Sequence, residues 1–282
     1  MLPDPLDSRL NPTPVRATQV SAPGVLQYQP RPAEDQVGAG GGFRLFRALG
    51  VTVFLHWSWF LVAIWMIESD KGIYTSIVWS IAQCLVLFGI VLLHEFGHAL
   101  ACRSVGGQAN RILLWPLGGV AFVSPPPRAG AVLWSIAAGP LVNVVLVPIT
   151  YFLWQANGGH RPNFYGINDL QMFTYVIFEI NATLLIFNML PIYPLDGGQI
   201  LQSLLWFVIG RARSLLVAAS IGILGAVGGI VFLFAFRGGN MWLTIMAIFA
   251  ITMAWSGVKT ARKMLAYERA VALHRAMNAG VQ

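Results

Sequence analysis

Residues 94–98 read His94-Glu95-Phe96-Gly97-His98. On a helix, imidazoles spaced i, i+4 lie on one face and can share one metal ion. Imidazole nitrogen suits zinc, which acidifies a water in its coordination sphere to a pKa of about 7. Glu95 is offset by one position, so it can reach such a water without joining the ligands. A carboxylate there can take the water proton and pass it to a leaving amine. Taken together, the three residue types point to metal-assisted hydrolysis of an amide.

Catalytic zinc commonly has three protein ligands and one open position. The third ligand has several candidates. Asp196 stands in Tyr193-Pro194-Leu195-Asp196-Gly197-Gly198, after a proline-rich interruption and beside glycines that permit close backbone approach. Glu179 lies about 17 residues earlier in the same apolar stretch, roughly 25 Å away along a helix. Cys102 continues the His94 and His98 face at i+8, two turns beyond His94. The remaining possibility is that the chain supplies no third ligand. Asn143 and Asn188 have amides that can donate to a carbonyl oxygen, in an oxyanion or substrate-backbone role. They can equally well bond helix to helix. His56 reads as a structural histidine near a span end.

These groups must be positioned by elements that lie in lipid. Of the 282 residues 56% are hydrophobic and only 10% are charged, and the mean hydropathy is +0.66. Soluble domains carry about 25% charged residues. Six apolar stretches can be drawn, at 51–67, 76–102, 130–154, 170–190, 214–236 and 240–256. A span needs about 20 residues, so the first and last are short. The expected fold is an all-α polytopic membrane protein of about six transmembrane helices. The Leu117–Val123 region, too short to cross, is expected as a short β-hairpin or membrane-associated strand near the cytoplasmic face. The net charge of +7 does not call for nucleic acid; a basic excess is usual in cytoplasmic membrane loops.

Orientation follows from those charges. With the N-terminus inside, fifteen of the 18 Lys and Arg residues fall in cytoplasmic segments and only Lys71, Arg161 and Arg237 fall outside. Both termini are then cytoplasmic. The second span enters from outside near residue 76, which places His94 roughly 27 Å in. The fourth span enters near 170 and meets Pro191, Pro194 and Gly197 at a similar depth. The two polar clusters are thus expected at one level. Cys84 and Cys102 lie in apolar stretches and give no disulfide framework.

The chain resembles the site-2 protease family of intramembrane zinc metalloproteases. That family pairs HExxH with NxxPxxxLDG, and here Asn188-Met189-Leu190-Pro191-Ile192-Tyr193-Pro194-Leu195-Asp196-Gly197 follows His94–His98 in the same order. Gly139-Pro140-Leu141-Val142-Asn143 is similar to the family's GPxxN pattern. The resemblance covers about residues 51–210. It implies that His94, His98 and Asp196 hold one zinc ion per chain and that Glu95 is the catalytic base. It also implies a six-span form; the PDZ or CBS domain of some members is not expected, since the loops between the apolar stretches are short.

The expected organisation is a disordered cytoplasmic tail over 1–42, a protease domain over 43–256 with its core at 76–210, and a basic C-terminal helix or tail over 257–282. The expected activity is zinc-dependent cleavage of transmembrane segments in a cell membrane, the partners being a membrane-protein substrate and the lipid bilayer. The competing reading is a non-proteolytic transporter or metal-binding scaffold, which a broken fourth span and a Gly-rich fifth would suit. A transporter has no need of a glutamate between two helical histidines.

Overall fold

A computed structural model describes residues 42–115, 118–159, 168–237 and 241–279. The 1–41 segment, expected as a tail, lies outside the described residues. Two strands come first, β1 (Gly42–Ala48) and β2 (Val51–His56), followed by a short helix α1 (Trp59–Ser69). The long helix α2 (Ile77–Ser104) leads to the strands β3 (Gln108–Trp115) and β4 (Gly118–Ser124). Helices α3 (Ala129–Ala156), α4 (Asp169–Asn188), α5 (Asp196–Ile209), α6 (Arg211–Arg237) and α7 (Met241–Ala279) complete the chain.

Among the described residues, four helices are long and apolar enough to cross a membrane: α2, α3, α4 and the Arg211–Phe232 part of α6. Together with the small sheet they make a multi-pass membrane protein, mostly helical as expected. The expectation of six spans is not met in the same way. The 51–67 stretch is divided between β2 and the 11-residue α1. Val51, Thr52 and Val53 open it with β-branched residues that favour a pleated surface, and Val51 and Val53 alternate inward on β2. What remains for α1 is about 16 Å of helix, well short of a bilayer core. The last stretch is also redrawn. The helix does not stop near 256 but runs on unbroken through the basic residues to Ala279.

The segment expected as a hairpin or strand is the single strand β4, and it belongs to something larger. Strands β3 and β4 pair antiparallel, β2 pairs parallel with β3, and β1 pairs antiparallel with β2. The order is β1-β2-β3-β4, so among the described residues β4 is a free edge. Val51, Val53, Ile112 and Leu114 on the sheet pack with Val91, Ala99 and Cys102 of α2 in one buried cluster. The sheet is thereby fastened to the same half of α2 that carries His94 and His98.

The helix ends follow local chemistry. The Ser76 hydroxyl caps α2 by accepting from the Val78 N–H, and Asn168 caps α4 by accepting from the Leu170 N–H. At the same end of the bundle the Asp169 carboxylate accepts from the Thr75 backbone N–H (3.0 Å) and from its hydroxyl, tying the two loops together. Tyr74 donates to Gln83 (2.6 Å) and Gln83 to Asp70 (3.0 Å). Burial pushes both the Asp70 carboxyl and the Tyr74 hydroxyl above their usual pKa. Between α4 and α5, Pro191 and Pro194 deny the backbone the N–H groups a continuous helix needs. The chain therefore turns and restarts at Asp196.

Candidate metal centre and active site

His94 and His98 lie on the second half of α2, and Asp196 is the first residue of α5. All three are buried, and one ligand atom from each comes within 4.8 Å of the others. The two Nε2 atoms are 3.1 Å apart. Asp196 Oδ2 is 3.1 Å from His94 Nε2 and 3.4 Å from His98 Nε2. The two clusters that depth arithmetic set at one level therefore meet.

The outer nitrogens show what the inner ones are for. His98 Nδ1 lies 2.9 Å from the carbonyl oxygen of Ser135. A carbonyl only accepts, so Nδ1 carries the proton and Nε2 presents a lone pair. His94 Nδ1 lies 2.6 Å from Asn143 Oδ1 and is held in the same way. Asp196 Oδ2 is buried without a hydrogen-bond partner. Three ligand atoms from two imidazoles and a carboxylate face one another at 3.1–3.4 Å in a buried site. Burying such a polar cluster is costly unless its atoms are satisfied, and a cation between them satisfies all three. Two imidazoles and a carboxylate form a donor set that fits zinc and leaves one position open. His94, His98 and Asp196 are thus a group able to hold the metal.

Glu95 is also buried. Its Oε2 accepts from the Ala121 N–H of β4 at 2.8 Å. A Cβ built on Gly119 would collide with the Glu95 side chain, so the edge strand rests directly on this carboxylate. The contact requires glycine at position 119. A Cβ on Gly139 would likewise collide with the His98 ring. Gly97 lets α2 and α3 close, since a Cβ there would come 2.6 Å from the Ala138 carbonyl oxygen.

The other residues singled out in the sequence fall in different places. Asn143 is fully buried and spends its amide on His94 and, through Nδ2, on Asn181 Oδ1 at 2.7 Å. Asn188 ends α4 half-buried and, among the described residues, bonds to none of the four site side chains. Cys102 lies in the core between α2 and the sheet, its thiol 3.5 Å from the Gln108 carbonyl oxygen, outside the ligand group. Glu179 is exposed on α4, where the Tyr175 hydroxyl donates to it; it is not the buried group that its place in an apolar stretch suggests. His56 ends β2 and bonds to Ser58. Reading the sequence missed Ser135, Gly119, Ala121 and Asn181. Of these only Asn181 carried a signal, as an amide in the middle of an apolar stretch. The others act through backbone atoms or through lack of a side chain.

Comparison with known proteins agrees with this geometry. A model of peptidase family M50 matches residues 82–159 and 164–236, just over half of the chain. A zinc metalloprotease of Methanocaldococcus jannaschii is 32% identical over 207 residues, which is 73% of this chain and 57% of the relative. Stage IV sporulation protein FB of Bacillus subtilis is 35% identical over 123 residues, 42% of this chain and 38% of the relative. The chain thus spans little more than half the length of the first of these and less of the second. A solved structure of a site-2 protease from Methanocaldococcus jannaschii superposes with a TM-score of 0.54 at 28% identity, covering 77% of this chain and 95% of that one. A family match over more than half of the chain, taking in His94, His98 and Asp196, makes this protein a member of peptidase family M50, the site-2 protease family that its motifs resemble.

Proposed function

We propose that the protein is a zinc-dependent intramembrane endopeptidase that cleaves transmembrane segments of membrane-protein substrates. The observation that carries this reading is the meeting of three lone-pair atoms from His94, His98 and Asp196 beside a buried glutamate under a free strand edge. A zinc ion held there would supply Lewis-acid chemistry, polarising a carbonyl and acidifying a water.

The residues of the chain do the rest. Glu95 accepts a proton from the attacking water and returns it to the leaving amine. Its low-dielectric surroundings strengthen every charge interaction during that transfer. A transmembrane helix hides its carbonyls in its own hydrogen bonds, so the substrate must unwind locally. The exposed stretch then pairs with the free edge of β4 as an added strand, which sets its carbonyls against Glu95. Asn188 at the end of α4 is assigned to the substrate backbone. Asn143 is assigned to hold His94, because its oxygen already faces that ring. In the cell membrane the loop charges orient both termini to the cytoplasm, with the 1–42 tail and the basic 257–282 segment on that side and the site opened from it.

The test is co-expression with tagged single-span candidates. The parent cleaves at least one of them and Glu95→Gln, which keeps the side-chain size and loses the base, does not. Equal cleavage by both would end the proposed mechanism. Metal analysis separates the competing class: about one zinc per chain, lost in His94→Ala and in Asp196→Ala, supports the protease. A purified parent without zinc would favour a transporter or scaffold.

A further inference from the structure

We infer that Asn181 is a positioning residue for the metal centre: by accepting from Asn143 it holds His94 in the tautomer that binds zinc. The inference rests on the ligand assignment proposed above and adds to it a residue that lies in none of the three motifs.

Asn143 of α3 and Asn181 of α4 are both fully buried. They form a chain with His94: Nδ1 to Asn143 Oδ1 at 2.6 Å, then Asn143 Nδ2 donating to Asn181 Oδ1 at 2.7 Å. Asn181 Nδ2 ends the chain, buried and without a partner among the described residues.

A carboxamide has two faces of nearly equal shape and opposite polarity. With its oxygen toward His94, Asn143 accepts the Nδ1 proton and Nε2 is left bare for a metal. With its NH2 group toward His94, Nδ1 becomes the acceptor. The ring proton then sits on Nε2, aimed at His98 Nε2 and Asp196 Oδ2, where it blocks the metal. His98 has no such ambiguity, since the Ser135 carbonyl can only accept. The face that Asn143 shows to His94 therefore decides whether the centre is competent.

Asn181 biases that choice. A buried N–H without an acceptor is costlier and rarer than a carbonyl with a spare lone pair. If nothing at position 181 accepted, Asn143 would best satisfy its NH2 group on the lone pair of His94 Nδ1. That orientation is the blocking one. With Asn181 Oδ1 taking the NH2 group, the oxygen is free to face His94.

The experiment is zinc affinity of the purified full chain in detergent micelles, by chelator competition, with helical content and thermal midpoint recorded for every variant. Asn181→Leu, similar in size but unable to accept, is expected to weaken zinc binding about tenfold to a hundredfold. Asn181→Asp, which only accepts, is expected to hold zinc at least as well as the parent. In an Asn143→Ala background Asn181→Leu is expected to change nothing further, because its effect passes through Asn143. A folded Asn181→Leu that binds zinc as the parent does would overturn the inference, and so would an undiminished effect in the Asn143→Ala background. Should Asn181→Leu fail to fold, Asn181→Asp decides: a tenfold loss there overturns the inference. A parent that holds no zinc would bring down the ligand assignment as well, which distinguishes the two failures.

Discussion

His98 is the most constrained side chain of the centre. Its Nδ1 is committed to the Ser135 carbonyl, its Nε2 faces the other ligands, and its ring lies against the backbone of Gly139. A methyl group at 139 has no space that does not displace the ring. Gly139→Ala is therefore expected to lower zinc affinity about tenfold or more, the loss typical of disturbing a metal ligand's support. The measurement is zinc content after dialysis against a weak chelator, with circular dichroism to show that the helices persist. Asp196 differs in kind. It is held by its place at the start of α5, and its Oδ2 has no hydrogen bond to lose. Asp196→Asn keeps the volume and removes the charge. Its expected outcome is loss of zinc, because a neutral amide replaces the anionic ligand, with circular dichroism showing that the helices persist.

At the scale of elements, the site depends on two close approaches. The first is β4 against α2. Gly119→Val would drive a branched side chain into Glu95 and lift the edge strand. Cleavage of a co-expressed substrate should fall below detection, while zinc is retained, because among the described residues the histidines bond to Asn143, Ser135 and each other rather than to β4. The second is the 190–195 turn against α6. A Cβ on Gly222 would lie 2.6 Å from the Tyr193 carbonyl oxygen, and one on Gly225 would lie 2.9 Å from Ile192. Gly257 of α7 faces the Tyr193 ring in the same way, at 3.1 Å from Cε1. Helices α6 and α7 thus form the bed on which the Asp196-bearing turn rests. Gly222→Ala is expected to cost about 1–3 kcal/mol of stability through overpacking. It should also weaken zinc binding, read together from a thermal melt and a metal titration. A variant that melts like the parent and binds zinc equally would show that the turn does not lean on α6.

For the whole molecule, the central matter is which end faces which side. The Thr75–Asp169 tie marks one end of the bundle, and the sheet with the metal group marks the other. Cysteine placed at Gly72 is expected to react with an impermeant thiol reagent added outside intact cells. Cysteine at Gln108 is expected to react only after the membrane is opened. The reverse pattern would invert the proposed orientation. Much of this arrangement was legible in the residues alone. His94, Glu95 and His98 declare themselves by spacing, since helix geometry converts i, i+4 into one face. Asp196 declares itself by a proline break, and the lipid-crossing stretches by their length and lack of charge. What only the tertiary structure decided is contact across elements. Strand β2 was hidden in an apolar run because burial on a sheet and burial in a bilayer select the same residues. The roles of the Ser135 carbonyl, the Ala121 N–H, Gly119 and Gly139 belong to backbone atoms or to missing side chains, which carry no residue-type signal. Even the third ligand had competitors on paper. Folding brings Asp196, and neither Glu179 nor Cys102, to the two imidazoles; a candidate metal centre is defined by distance in space, and a sequence records only distance along the chain.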